Sequence, residues 1–450
     1  MKKLFKNGYV VSDIEIKKLD VLVNDDKICE VSENIKDNEA EIIDCTGKYL
    51  FPGFIDSHTH FDAGTILTRS SDDFSVGSRS EIAGGATTFI DYATEYSGES
   101  ITSALNNWHK KTDGKCYADF AYHMALSEIN ENLLKELEMV VPKGIRYFKY
   151  YTTYANMLNE IDAYKFVEKL NKLGGITAVH CEDDNILKQS LKEVKDKYGL
   201  ENPKYFPKTR PVISEETAIR NVLDMAYKLN SPIIIAHLST KAGLEEIRKA
   251  RLRGQKIIVE TCPQYLALDE SVFEKEKNIA RRYICCPPIR TKEDSNALWE
   301  AIKNKEIQTI VTDHCAFNVE QKEEGKDDFT KTPYGLPGAE DRAIIIYNEG
   351  VLKDRITLEE MTALLSTNVA KIYDLYPRKG VIAKDSDADI SIFDKNIAWE
   401  IDGSIGQSKS GYSCYDGKKV KGKFVKVYLR GNLMYDNNKI VGEAIGKYLR

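Results

Sequence analysis

The sequence predicts an α/β protein, a (β/α)8 TIM-like barrel with a small β-sandwich domain built from both chain ends. Three observations predict it. Eight apolar runs of strand length recur through the middle of the 450-residue chain, at 53–55, 87–92, 120–126, 145–151, 176–179, 233–236, 256–259 and 309–311. Between many of them lie segments with apolar residues at three- and four-residue spacing, at 101–111, 131–140, 161–173, 215–228, 241–253 and 294–304. The two ends are β-rich instead, and each has too few strands to bury a face by itself.

Continuous apolar strands alternating with helices indicate a parallel sheet covered on its outer face, and eight such units close a barrel. A doubly wound open sheet is the competing arrangement, but no Gly-x-Gly-x-x-Gly turn follows an early strand. At the N-terminal end, 19–23 alternates, Asn24-Asp25-Asp26 turns the chain and 28–31 resumes the strand. At the other end, 389–393 and 425–429 are strand-like, and 434–435 and 440–441 flank the turn Asp436-Asn437-Asn438-Lys439. The expected units are residues 1–51 as the first part of the β-sandwich, 52–375 as the barrel, and 376–450 as the second part with a C-terminal tail. The polar stretch 192–204 reads as a surface excursion able to meet a partner subunit, and the charge run 320–328 as a solvated loop after the eighth strand, with a pocket wall as the alternative through its continuation into Tyr334.

Lys and Arg number 64 against 70 Asp and Glu, a net charge of -6 spread along the chain, which argues against nucleic-acid binding by bulk electrostatics. No apolar run approaches the roughly 20 residues of a membrane span. The basic start Met1-Lys2-Lys3 is not followed by an export signal, so a cytoplasmic protein is expected. Nine cysteines without a regular framework are expected to be reduced thiols.

The polar residues at the strand ends carry the chemistry. The first strand runs into Asp56-Ser57-His58-Thr59-His60, and side chains two apart share a face, so both imidazoles can converge on one ion. The fifth ends in Val179-His180-Cys181-Glu182, the sixth in Ala236-His237-Leu238-Ser239 and the eighth in Thr312-Asp313-His314. A barrel gathers these ends on one face. Of seven histidines, four stand at strand ends; His109 reads as a surface residue, His123 as packing, and His314 as a neighbour of the better ligand Asp313. Imidazole and carboxylate suit Zn²⁺, with Mn²⁺, Fe²⁺ and Co²⁺ open on ligand type. Four His and one Asp exceed the three protein ligands of a mononuclear catalytic zinc, so two divalent ions are expected, with a bridging anion. No second carboxylate stands at an obvious strand end. Lys149 offers another route: among the apolar residues of the fourth strand its amine is expected to have a depressed pKa, and CO₂ would convert it to a two-oxygen anion that can bridge two cations. The competing reading is a lysine snorkelling at a strand edge.

Together these motifs resemble the cyclic amidohydrolases of the hydantoinase and dihydropyrimidinase group. The likeness spans most of the chain: Pro52-Gly53-Phe54-Ile55-Asp56-Ser57-His58-Thr59-His60, Gly84-Gly85-Ala86-Thr87-Thr88, Phe148-Lys149 followed by Tyr154, the His180 and His237 segments, Cys286-Pro287-Pro288-Ile289-Arg290, Thr312-Asp313-His314-Cys315 and Gly335-Leu336-Pro337-Gly338-Ala339-Glu340. Near the C-terminus, Lys379-Gly380-Val381-Ile382 and Asp387-Ala388-Asp389 resemble the return to the small domain, with Asp385 where relatives often have glycine. The resemblance implies that His58, His60 and Asp313 hold one metal, His180 and His237 the other, and N6-carboxylated Lys149 bridges them, with a metal-bridging hydroxide as nucleophile. It further implies Asp313 as proton carrier, Tyr154 as donor to the oxyanion, main-chain substrate contacts near Cys286 and Tyr334, and a homotetramer.

The implied substrate is a small cyclic amide or ureide, a 5-substituted hydantoin or a dihydropyrimidine. Cys286 and Tyr334 depart from the Ser and Asn frequent in hydantoinases, which bears on pocket shape. Allantoinase is the alternative. Dihydroorotase ranks lower, because Phe61-Asp62 stand where it carries an arginine and an aspartate would repel an anionic ring. A non-catalytic scaffold protein of the same group would be expected to lack ligands, and all six positions are filled.

Overall fold

In the computed structural model, which describes residues 2–65, 67–96 and 98–449, eight parallel strands stand side by side in chain order. They are β1 (Phe54–Thr59), β2 (Ala86–Thr94), β3 (Asp119–Ala125), β4 (Tyr147–Tyr151), β5 (Ile176–His180), β6 (Ile233–Ile235), β7 (Ile257–Thr261) and β8 (Thr309–Ile310). The residues just beyond β8 complete the ring: Asp313 N donates to His58 O at 2.9 Å and His60 N to His314 O at 2.8 Å. Thr59 and His314 form a parallel bridge there. The expected barrel is present.

Its strands are buried on both faces, which is why they read as continuous apolar runs; every described residue of β1, β3 and β6 is buried. The outer helices follow the expected periodicity, at Ile101–Thr112, Glu131–Val140, Glu160–Lys172, Val212–Lys228, Lys241–Leu252 and Lys292–Lys303. Each turns an apolar stripe inward, as Ala163, Phe166, Val167 and Leu170 do in the third. Side-chain caps start several of them: Asn159 accepts from Asp162 N, Thr240 from Gly243 N, and Thr291 forms a reciprocal capping box with Asp294.

Several helices escaped the periodicity, among them Phe74–Ala83 and Asp184–Tyr198. Phe74–Ala83 is buried almost all round, including Ser78, Ser80 and Glu81, so it shows no polar face. Its Gly77 is required by close approach, since a Cβ there would stand 2.3 Å from the Phe61 ring. Asp184–Tyr198 buries only Leu187 and Val194, too thin a stripe to register. Residues 192–198 therefore continue a helix and are not an irregular excursion.

Both chain ends enter one nine-stranded sheet. Tyr49–Pro52 is its seam, parallel to Lys2–Val11 and antiparallel to Ile390–Glu400. Phe5, Val21, Val23, Ile28, Leu50, Ile390, Ile392 and Tyr428, from six of these strands, form a core separate from the barrel. Asp385 has φ 71°, the left-handed conformation that glycine would adopt freely and aspartate tolerates. All nine cysteines are free thiols. Among the described residues no helix is long and apolar enough to cross a membrane.

A buried charge cluster rivets the small sheet to the foot of the barrel. The Lys379 ammonium donates to Asp119 of β3 and to Asp389, both at 2.7 Å, and pairs with Asp387 at 3.0 Å. Arg430 also pairs with Asp119, and Thr87 Oγ1 donates to Asp389 at 2.9 Å. The three carboxylates push the lysine pKa up against the opposing effect of burial. Lys379→Met should therefore cost on the order of 3–5 kcal/mol, because it leaves buried carboxylates uncompensated. Denaturant unfolding followed by circular dichroism would check this; a loss below about 1 kcal/mol contradicts the assignment.

Candidate active site

The carboxyl ends of the barrel strands bring His58, His60, Lys149, His180, His237 and Asp313 into one cluster. His58 closes toward Asp313 from β1, with Nε2 3.3 Å from Oδ1, and His60 Nε2 lies 3.2 Å from the same oxygen. These three can hold a metal ion, their ligand atoms all lying within 4.8 Å of one another. Lys149 Nζ from β4 sits 2.8 Å from His58 Nε2. His180 Nδ1, at the end of β5, is 3.0 Å from His237 Nε2, and the His58 and His237 rings are 5.4 Å apart. Three members of this neighbourhood sit in the left-handed region, where bulky side chains are rare: His237 at φ 35°, Asp313 at φ 54° and Tyr154 at φ 76°. Surrounding structure holds that strain, a feature that concentrates at functional sites.

Burial shapes the charge state. It pushes His58 and His237 well below the ordinary imidazole pKa, assisted at His58 by Lys149 and at His237 by His180, and it lowers His180 as well. The three rings are neutral and offer lone pairs. Asp313 is opposed by burial, yet the hydrogen bond to His60 and the nearby basic groups bring it to about 2. It is an anion at neutral pH.

Lys149 is 1 % exposed, so the snorkelling alternative is excluded. Its Nζ lies over the Tyr92 ring, 4.3 Å from the centroid, and burial lowers its pKa to about 8. Among the described residues no carboxylate forms an ion pair with it. A substantial neutral fraction of amine is therefore present near neutral pH, the form that reacts with electrophiles such as CO₂.

Sequence reasoning left two carboxylates without a part. Glu260, near the end of β7, places Oε2 3.0 Å from His58 Nδ1, while the Tyr373 hydroxyl donates to Oε1 at 3.0 Å. Burial raises its pKa to about 8, so positive charge at the cluster would draw it into the carboxylate form that accepts from His58. Glu182 lies 2.8 Å from His180 Nε2 and accepts from Arg210 Nε at 3.0 Å. Burial opposes its ionisation, but Arg210 and His180 hold it well below the usual carboxylate range. The single signal available was position: Glu182 follows His180 by two, and Glu260 extends an apolar run by one residue.

The residues expected on the substrate side meet at one corner. The Arg210 guanidinium stacks over both Tyr154 and Tyr334, 5.5 and 5.7 Å from their centroids, and its Nη2 donates to the Tyr154 hydroxyl at 3.4 Å. Tyr154 lies 5.0 Å from the His180 ring. Burial pushes the Cys286 thiol up to about 12, where it is no nucleophile at neutral pH. His314 is held away from the cluster: Nε2 faces Asp72 at 3.1 Å and Nδ1 accepts from Gly338 N and Ala339 N. His123 packs among Tyr92, Tyr147 and Tyr373, and His109 sits on its outer helix beside Asp113.

Residues 49–434 match the Amidohydrolase family. Over 455 aligned residues the chain is 37% identical to the D-hydantoinase of Geobacillus stearothermophilus, spanning 100% of this chain and 96% of that one. The chain belongs to the amidohydrolase family. It is 34% identical to the D-phenylhydantoinase of Escherichia coli, spanning 100% of this chain and 98% of the relative. The crystal structure of the dihydropyrimidinase from Brevibacillus agri superposes on it with a TM-score of 0.97 at 36% identity, covering 100% of this chain and 98% of that chain. This amidohydrolase is a hydrolase, and its cluster combines imidazoles and carboxylate in the pattern that binds divalent cations. Replacing Glu260 by alanine should lower the affinity for divalent metal about 10- to 100-fold, since His58 loses the group that orients it. Chelator competition with Zn²⁺ reads this directly, and unchanged affinity would remove Glu260 from the site.

Proposed function

We propose that this amidohydrolase opens the cyclic amide bond of hydantoins, 5-substituted and including aryl, or of dihydropyrimidines, using two divalent metal ions, preferably zinc. His58, His60 and Asp313 would hold one ion, His180 and His237 the other, and Lys149, carboxylated on its amine by CO₂, would lie between them. The observation that carries this reading is the convergence of ring nitrogens on one another and on the Asp313 carboxylate. Glu182 accepts from His180 Nε2, which leaves a lone pair on Nδ1 facing His237. His237 Nδ1 is buried with no hydrogen-bond partner, so either tautomer of that ring leaves a nitrogen unsatisfied. A cation between His180 Nδ1 and His237 Nε2 would take both facing lone pairs, with the ring proton of His237 on Nδ1. The residues therefore fit the metal pair.

When bound, the two cations supply a nucleophilic water at neutral pH and polarise the carbonyl under attack. Asp313 Oδ accepts the proton of the attacking water as the new C–O bond forms. It then delivers that proton to the ring nitrogen as the C–N bond breaks, because an amide anion is too basic to leave unprotonated. The Tyr154 hydroxyl donates to the oxygen that becomes negative, and Arg210 orients it from behind. Main-chain groups beside Cys286 and Tyr334 hold the –CO–NH– unit of the ring. Product is the ring-opened N-carbamoyl acid.

The names of the relatives support hydantoin and dihydropyrimidine rings over allantoin. Against a dihydroorotase role, no arginine stands two residues beyond His60; Asp62 occupies that place. Its charge is met by Arg69 at 2.9 Å and Lys111 at 3.1 Å, so Asp62 would repel an anionic ring little, and it is the missing arginine that disfavours that substrate. The free thiols fit a cytoplasmic setting. Exposed Ile161, Tyr164 and Tyr227 on the outer helices offer apolar surface for a homotetramer.

Side-by-side assay of hydantoin, 5-phenylhydantoin, dihydrouracil and allantoin should show turnover of the first three, lost on chelation and restored by Zn²⁺ or Mn²⁺. Absence of turnover in protein loaded with either metal would refute the assignment. Lys149→Ala should lower kcat by several orders of magnitude, with partial recovery in added short carboxylic acids that can bridge metals. Full activity in this variant would dismiss the carbamate.

A further inference from the structure

Lys322 lies in the charge run expected to be solvated, on the short helix Val319–Glu323 that follows β8, and its side chain is fully buried. Its ammonium has three N–H donors, and all three are spent on main-chain carbonyls: Ile284 O at 2.9 Å, Pro333 O at 2.9 Å and Gly335 O at 2.7 Å. Ile284 precedes Cys286 by two residues, and Pro333 and Gly335 flank Tyr334. The same two stretches are joined by Gly335 N donating to Ile284 O at 3.1 Å. Gly335 has φ 148°, and a Cβ there would stand 2.3 Å from Cys315 O, so this segment is pressed tightly against the barrel end.

We infer that Lys322 is a positioning residue: through three carbonyls it fixes the main-chain stretches at Cys286 and Tyr334 against each other, and so sets the affinity for the ring. The inference rests on the reading that those stretches hold the cyclic amide. Lys322 does not touch the metal ligands, and no described carboxylate forms an ion pair with it. The groups facing it are the Phe317 ring, 5.6 Å from Nζ, and the thiols of Cys285, Cys286, Cys315 and Cys414. Burial pushes all four thiols up, so they stay neutral through the physiological range. The adjoining Arg281 and Glu323 pair with each other. Burial lowers Lys322 itself to about 8. Above that pH the neutral amine has two N–H donors for three carbonyls, and one tie is lost.

The test compares wild type with Lys322→Met, using dihydrouracil as substrate and measuring metal content beside the kinetics. KM should rise roughly tenfold or more while kcat stays within about threefold and metal content is unchanged, since ground state and transition state lose the same contacts. An unchanged KM in a folded, metal-loaded variant overturns the inference while leaving the proposed reaction intact. Failure of the proposed reaction is seen separately, in wild type that opens no ring. If the variant cannot be recovered folded, the KM of wild type for dihydrouracil between about pH 7 and about pH 9.5 decides. A rise beginning near pH 8 supports the tie, and a flat profile overturns it.

Discussion

Asp313 N donates to His58 O and His60 N to His314 O, and on these two main-chain bonds the rest of the site depends. They join the first strand of the barrel to the last across some 250 residues of intervening chain. Without that seam the eight strands would remain an open sheet, and His58 and Asp313 would stand on opposite edges of it. With it, the His58 and His60 nitrogens approach the Asp313 carboxylate from one side while His180, His237 and Lys149 arrive from the other. The cost of the closure shows in the backbone, since Asp313 and His237 are held at positive φ. Loop-closure entropy grows slowly with length, so a long connection of packed βα units is tolerable where a floppy one of equal span would leave the ligands undefined.

The second constraint is desolvation. Gathering this many polar side chains into a dry pocket is unfavourable unless each finds a partner. The peripheral ones do: Glu182 with Arg210 and His180, Asp72 with His314, Asp91 with Thr59, Phe61 N and Trp108. At the centre the arithmetic fails: whichever tautomer His237 adopts, its buried Nδ1 has no partner. Carboxylates one layer out orient those imidazoles by their far nitrogens, Glu260 at His58 and Glu182 at His180. That arrangement directs the near nitrogens inward, which is the task of such partners around a metal.

Much of this was legible in the residues because the fold converts sequence position into geometry. In a barrel, the end of a strand is a place in space, so four histidines and an aspartate at strand ends already form a cluster on paper. Lys149 was legible as chemistry, a cation among apolar neighbours. Glu260 was not, because it extends an apolar run by one residue and nothing in a linear pattern says that it faces His58. Arg210 lies in a loop before the helix Val212–Lys228, and its stacking on Tyr154 and Tyr334 joins segments 180 residues apart. Lys322 was misread for a related reason. Its neighbours in sequence are acidic and exposed, while its partners are main-chain carbonyls, which carry no sequence signature at all.

Three buried lysines show how environment decides what an ammonium becomes. Lys379 meets three carboxylates, and its pKa is driven upward; it is a permanent cation and a structural rivet. Lys322 meets only carbonyl dipoles, which solvate a charge without neutralising it, and its pKa falls to about 8. Lys149 meets neither. Its near neighbours are the Nε2 of His58 and the faces of Tyr92 and Tyr151, and it too falls to about 8. The difference between the last two lies in the donors and acceptors around them. At Lys322 every N–H has an oxygen to reach, so adding a carboxyl group would evict three good hydrogen bonds. At Lys149 the amine faces a ring nitrogen of His58, and in the proposed site converting it to an anion would turn a repulsive centre into one that cations stabilise. Equal pKa values therefore predict opposite chemistry, and the geometry around each nitrogen tells them apart.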